Sequence, residues 1–168
     1  MLFRSLSAAS SLTHGGGAGT FDIAMPLTGV SGVEDRSSST YNAVFTFDGP
    51  VSSGQVLVLS GTATVGPLSF SGNSMTAQLT GVTSAEIVTL RVQNINGDGQ
   101  QHGDVPFGFL TADVNANRVV DKPDQRQIKV NRGQPVTAAN FRDDINLNGR
   151  VDGPDLQSVQ LNRGHSIP

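Results

Sequence analysis

The chain reads as a mainly β protein that ends in a small α-helical unit, and three features predict this. Most of the sequence before residue 112 breaks into short apolar runs of period two, separated by Gly, Ser and Asn. The remainder lacks such runs and writes one acidic twelve-residue stretch twice, 31 residues apart. The composition agrees: 20 of the 168 residues are glycine, only 15% are charged, and there is no cysteine. Without disulfides a small terminal unit needs another staple, and a metal ion would serve.

Each strand has its own pattern. "FDIAMPL" places Phe21, Ile23, Met25 and Leu27 on one face, and "YNAVFTF" does the same with Tyr41, Ala43, Phe45 and Phe47. "GQVLVLSG", "GPLSFSG", "SMTAQLTG" and "EIVTLRVQNI" follow at roughly ten-residue spacing, and "DVPFGFLTA" closes the series. "NGDG" at 96–99 and "SGN" at 71–73 supply residues that tolerate positive φ between strands. Six or seven strands so spaced, with no helical stretch between them, predict an immunoglobulin-like antiparallel β-sandwich over residues 20–111.

Residues 1–19 carry Leu2, Phe3, Leu6 and Leu12 among Ser and Ala, then "HGGGAG". An apolar-spotted arm behind a glycine hinge is expected to reach away from its own domain. Lodged on a neighbour's sheet edge, it would make a head-to-tail contact that does not close and so would build a fibre. The opening "MLFRSLSAASSL" holds too much serine for a signal-peptide core.

Residues 112–168 form the second unit, in which "DVNANRVVDKPDQRQIKVNRG" aligns without a gap to "DINLNGRVDGPDLQSVQLNRG". Calcium takes six to eight oxygen ligands, and a twelve-residue loop supplies them from positions 1, 3, 5, 7, 9 and 12, position 7 through its backbone carbonyl. In the first loop these are Asp113, Asn115, Asn117, the carbonyl of Val119, Asp121 and Asp124. In the second they are Asp144, Asn146, Asn148, the carbonyl of Arg150, Asp152 and Asp155. Three carboxylates per loop repel one another unless a cation lies between them. An oxygen-only set of carboxylates and amides favours calcium, two ions in all; zinc would want His or Cys, and magnesium accepts fewer protein ligands. Val120 and Val151, at position 8, are expected to pair the loops back to back. Position 12 also opens a short helix, where the dipole favours the negative charge of Asp124 and Asp155. Position 6 is Gly149 in the second loop but Arg118 in the first, so a positive φ there would weaken the first site.

The paired loop and helix resembles the type I dockerin pattern, D-x-N-x-D/N-G-x-V-x-x-x-D, over residues 112–164. The resemblance implies an EF-hand-like calcium-loop pair, secretion, and a cohesin-like or cell-surface partner. It places recognition at positions 10 and 11 and late in the helix. Here positions 10 and 11 are Lys122 and Pro123, then Gly153 and Pro154, in place of a hydroxyl pair, and Gly133 and Gly164 stop both helices early. "THGGGAGTFDIAMPLTG" and "SGNSMTAQLTGV" resemble a small β-sandwich module that precedes such repeats in large secreted bacterial proteins.

A net charge of -3 with no Lys/Arg cluster excludes nucleic acid as an expected partner. No apolar run is long enough to span a membrane. His14, His102 and His165 are each solitary and read as solvated loop residues. Asp98, His102 and Asp104 sit in a hairpin connection, and Glu34 and Asp35 in "GVEDRS" read as a surface loop cluster satisfied by Arg36. No nucleophile elbow, phosphate loop or dinucleotide fingerprint occurs. The sequence therefore predicts a noncatalytic extracellular or cell-surface structural protein that binds calcium and assembles with itself through the amino-terminal arm. The alternative is an attachment module of dockerin type.

Overall fold

A computed structural model describes residues 5–168, with side chains from Ser7 onward. Nine strands precede two helices among the described residues: β1 Ser5–His14, β2 Gly19–Met25, β3 Gly32–Glu34, β4 Thr40–Phe47, β5 Gln55–Ser60, β6 Thr64–Ser71, β7 Ser74–Thr80, β8 Glu86–Ile95, β9 Asp98–Phe109, α1 Lys122–Asn131 and α2 Gly153–Asn162. They form a five-stranded sheet ordered β2-β1-β4-β7-β6 and a four-stranded sheet ordered β3-β9-β8-β5. All pairs are antiparallel except β3 with β9.

Strict alternation builds the layer between the sheets. Tyr41, Ala43, Phe45 and Phe47 of β4 are all buried, as are Met75, Ala77 and Leu79 of β7. Val88, Leu90 and Val92 of β8 and Val105, Phe107 and Phe109 of β9 face them from the other sheet. The rings of Tyr41 and Phe109 meet edge to face at 5.0 Å, and those of Phe45 and Phe107 at 6.0 Å. Each buried Val, Leu, Met or Phe among these contributes roughly 1.5–3 kcal/mol relative to exposure. The turns fall where the sequence places them. Asn96 and Gly97, both at positive φ, join β8 to β9, and Gly72 and Asn73 join β6 to β7.

The expected free arm is not what residues 5–14 form. They are an inner strand of the chain's own sheet, with Ala8 opposite both Met25 of β2 and Phe45 of β4. The physical reason is a second alternation hidden among serines: Ala8, Ser10, Leu12 and His14 all point inward and are buried. Gly16 and Gly17, at φ 60° and 78°, close a tight hairpin back into β2 rather than serving as a hinge. Leu2 and Phe3 lie outside the described residues.

Past Phe109 the architecture changes without a linker. Leu110 N–H donates to the Glu34 carbonyl at 3.0 Å and Ala112 N–H to the Asp35 carbonyl at 2.8 Å, tying the loops to the end of β3. A second apolar cluster joins Val33 and Leu110 to Val114, Val120, Ile128, Ile145, Val151, Val159 and Ile167. Phe141 packs against both clusters, so the two units share one continuous interior. No helix among the described residues is long and apolar enough to cross a membrane.

Candidate metal centre

The two acidic loops fold alike. In the first, Asp113 accepts from the backbone N–H of Asn117 at 3.1 Å and of Arg118 at 2.8 Å; in the second, Asp144 accepts from those of Asn148 at 3.0 Å and Gly149 at 2.8 Å. Asn115 and Asn146 each turn their side-chain oxygen onto the N–H two residues on, at 2.9 and 3.0 Å. Asn117 and Asn148 do the same to Val119 and Arg150, at 3.0 and 2.8 Å. Asp124 and Asp155 close each loop by accepting from the N–H of position 9 with one oxygen, 2.8 Å in both, and of position 3 with the other. That bond from position 9 is one half of a capping box that starts each helix, with proline in the first turn.

Each loop's backbone thus holds its acceptors in place through Asx turns, and each leaves the same oxygen over. Asp121 Oδ1 and Asp152 Oδ1, at position 9 of the repeat, are buried and accept no hydrogen bond. A buried carboxylate oxygen without a donor is costly. Burial pushes the Asp155 carboxyl up to about 6, with Asp144 and Asp152 adding to the rise and backbone hydrogen bonds opposing it. Burial raises Asp113 and Asp124 as well. Among the described residues no three acidic or imidazole side chains gather into a compact cluster by themselves. The oxygen donors present along each loop are carboxylate, asparagine and main-chain oxygens, a set that calcium takes and that lacks the Cys or His zinc favours.

Val120 and Val151, expected to pair the loops back to back, do not bond to each other through their main chains. Both side chains are fully buried in the shared apolar cluster, but their main chains bond elsewhere. Val120 N–H donates to the His165 carbonyl at 2.9 Å and its own carbonyl accepts from Gly164, while the Val151 carbonyl accepts from Gly133 at 2.9 Å. Each loop therefore pairs with the segment that follows the other repeat's helix.

Position 6 has positive φ in both loops, 75° at Arg118 and 85° at Gly149. Their neighbours differ. The second loop presses on the β1–β2 turn: Gly15 N–H donates to the Leu147 carbonyl at 2.8 Å, and a Cβ added to Gly149 would lie 2.1 Å from the Gly15 carbonyl oxygen. The first loop meets the carboxyl-terminal segment, where the Arg118 guanidinium donates to the Ser31 carbonyl at 2.9 Å and to that of Pro168. Position 4 also has positive φ in both loops, at Ala116 and Leu147, a strain with no marker in the sequence.

Under the second loop lies a network read from sequence as surface and solvent. Glu34, Asp35, Arg36 and His14 are all buried. Arg36 donates to Glu34 through Nε at 2.8 Å and Nη2 at 2.7 Å, and to the Phe21 carbonyl at 2.9 Å. The Ser10 hydroxyl donates to Glu34. His14 reaches Asp144 through Nδ1 at 2.7 Å, and its Nε2 lies 3.3 Å from Arg36 Nη1. Asp35 does not pair with Arg36 but lies 2.9 Å from Arg142 Nη2, an ion pair by distance although neither Asp35 oxygen receives a hydrogen bond of normal geometry. Burial holds its carboxyl well above the usual carboxylate range, with Arg142 the main opposing influence. A His in a glycine-rich stretch and an acidic pair beside Arg look solvated in sequence; here β1 and the end of β3 carry them inside together.

Of the remaining sequence candidates, Asp98, His102 and Asp104 lie along β9 and line one cleft, and Asp104 is engaged by Arg91 in a partly exposed bidentate pair at 2.7 Å. No family model matches the chain, and no curated protein or solved structure matches it either.

Proposed function

We propose that the chain is a noncatalytic, calcium-stapled structural module of the cell exterior: an immunoglobulin-like sandwich closed at one end by a dockerin-like pair of loops that takes two calcium ions. Asp113, Asn115, Asn117, the Val119 carbonyl, Asp121 and Asp124 would hold one ion. Asp144, Asn146, Asn148, the Arg150 carbonyl, Asp152 and Asp155 would hold the other. The observation that carries this reading is the repeated orphan: the same buried position-9 oxygen lacks a donor in both loops, inside the same frame of Asx turns. Two loops erring in the same way point to a ligand common to both.

Calcium would neutralise carboxylates that burial now pushes toward protonation, and would fix the second loop against the β1–β2 turn. The expected role is mechanical: loading makes the helical end a rigid extension of the sheets. Isothermal titration of the chelator-stripped protein should show two calcium events, and thermal melting should show a higher transition with calcium than with chelator. An unchanged melting curve and no heat of binding would end the proposal. The dockerin-type attachment reading finds less support, because position 10 is Lys122 and Gly153 and position 11 is proline in both loops.

A further inference from the structure

The two sheets end in four outer strands, β2, β6, β3 and β5, and they are not equally protected against further pairing. Natural sheets blunt their edges with short strands, charge, proline or bulges. β3 is only 3 residues long, β2 carries the exposed Asp22, and β6 has Pro67 inside a bulge between Val65 and Leu68. The stretch of β9 that runs on beyond β3 carries Asp98 and Asp104. β5 has no such guard along its length. It reads "QVLVLS" over Gln55–Ser60, without charge or proline, and its one irregularity falls at the end, between Val58 and Ser60. It pairs with β8 on one side and with no strand on the other among the described residues.

The face beside this edge is apolar and electrically neutral. Among the described residues, the large hydrophobic side chains that a strand leaves exposed are Leu57 and Leu59, while Val56 turns the other way into the core. Leu57 lies opposite Arg91, whose charge Asp104 takes, and Gln55 lies opposite Gln93, which donates to it at 3.1 Å. An open edge of this kind is satisfied in series by another extended backbone, here one that is uncharged and apolar at alternate positions. β5 itself meets that description. Run antiparallel about a two-fold axis at Leu57, it sets Leu57 against the partner's Leu57 and Val56 against the partner's Val58, each pair on one face, with no like charges opposed. We propose that β5 joins β5 of a second copy of this chain, so that the two four-stranded sheets become one. A two-fold contact closes on itself and the other edges are guarded, so the product is a dimer and not a fibre.

The test uses the whole chain with calcium present. Analytical ultracentrifugation over a concentration series should show a monomer–dimer equilibrium in the micromolar range, and amide hydrogen exchange at Gln55–Ser60 should slow as the dimer fills. Leu57→Lys, at an exposed position, sets like charges face to face across the axis and removes apolar contact, and should weaken the dimer roughly tenfold. Leu57→Glu should weaken it likewise. An equal mixture of the two variants should associate more tightly than either alone, because residue 57 then meets an opposite charge in its own counterpart. A chain that stays monomeric at millimolar concentration, a dimer that Leu57→Lys leaves unchanged, or a mixture that recovers nothing overturns the proposal. Growth past the dimer overturns the closed two-fold contact and with it the proposal.

Discussion

The two acidic loops share their residue pattern, their Asx turns, their capping boxes and even their orphan oxygen, yet they are set in different surroundings. The first is held by an arginine that reaches to Ser31 and the Pro168 carbonyl. The second is wedged between Gly15 and a buried array of Glu34, Arg36 and His14. Local hydrogen bonding follows from the repeated residues; what each loop can tolerate at its sharp turn follows from its neighbour. Position 6 shows the difference most directly. At 118 a non-glycine takes the positive φ and its guanidinium donates to Ser31 and Pro168, whereas at 149 a side chain would meet the Gly15 backbone.

The comparison can be broken at its foundation first. Arg36→Met removes the partner of the buried Glu34, and leaving a buried charge uncompensated costs about 3–5 kcal/mol. Chemical denaturation should register that loss, and calcium affinity at the Asp144 loop should fall more than at the Asp113 loop, because His14 links Arg36 to Asp144. Equal effects on both loops would show that they do not differ as described. Next in size, Gly149→Ala combines a strained φ with a clash against the Gly15 carbonyl and should cost about 3 kcal/mol or more. Arg118→Ala, made at the equivalent position, should cost only about 1–2 kcal/mol, the scale of two lost hydrogen bonds.

Acidity sharpens the contrast between metal-free and loaded protein. The folded Asp155 carboxyl titrates at about 6, above the usual carboxylate value. A raised folded pKa contributes stability that is complete below the unfolded value near ~4 and lost as pH rises through the folded one. The metal-free protein should therefore become more stable, by on the order of 2 kcal/mol, as pH falls from 7 toward 4. The calcium-loaded protein should run the other way, because protons displace the ion. Melting curves at stepped pH with and without chelator distinguish the two slopes. The smallest effect concerns the ions themselves: calorimetry should find the Gly149 site tighter than the Arg118 site by roughly 1 kcal/mol, the cost of a non-glycine at positive φ.

The β layers were legible because burial on one face leaves a period-two trace, and Tyr41 to Phe47 shows it without interruption. The acidic loops were legible as a repeat because the same residues recur at the same spacing, and both copies fold through the same Asx turns. β1 was not, since Ser10 and His14 hold inward positions that an apolar pattern cannot mark, and a glycine run can close a hairpin as readily as it can form a hinge. The ion array was hidden for a related reason. Glu34, Asp35 and Arg36 are adjacent in sequence, and adjacency suggested that they satisfy one another in water. Only the fold reveals that Asp35 turns away to Arg142, a residue of the second unit, while Glu34 and Arg36 are enclosed by β1.

His14 and Asp144 are separated by 130 positions along the chain. During synthesis at 5–20 residues per second, the hairpin that carries the histidine emerges on the order of ten seconds before the carboxylate that receives it. Through that interval the β1–β2 turn stays unsealed, so completing this contact depends on a long-range encounter between His14 and Asp144.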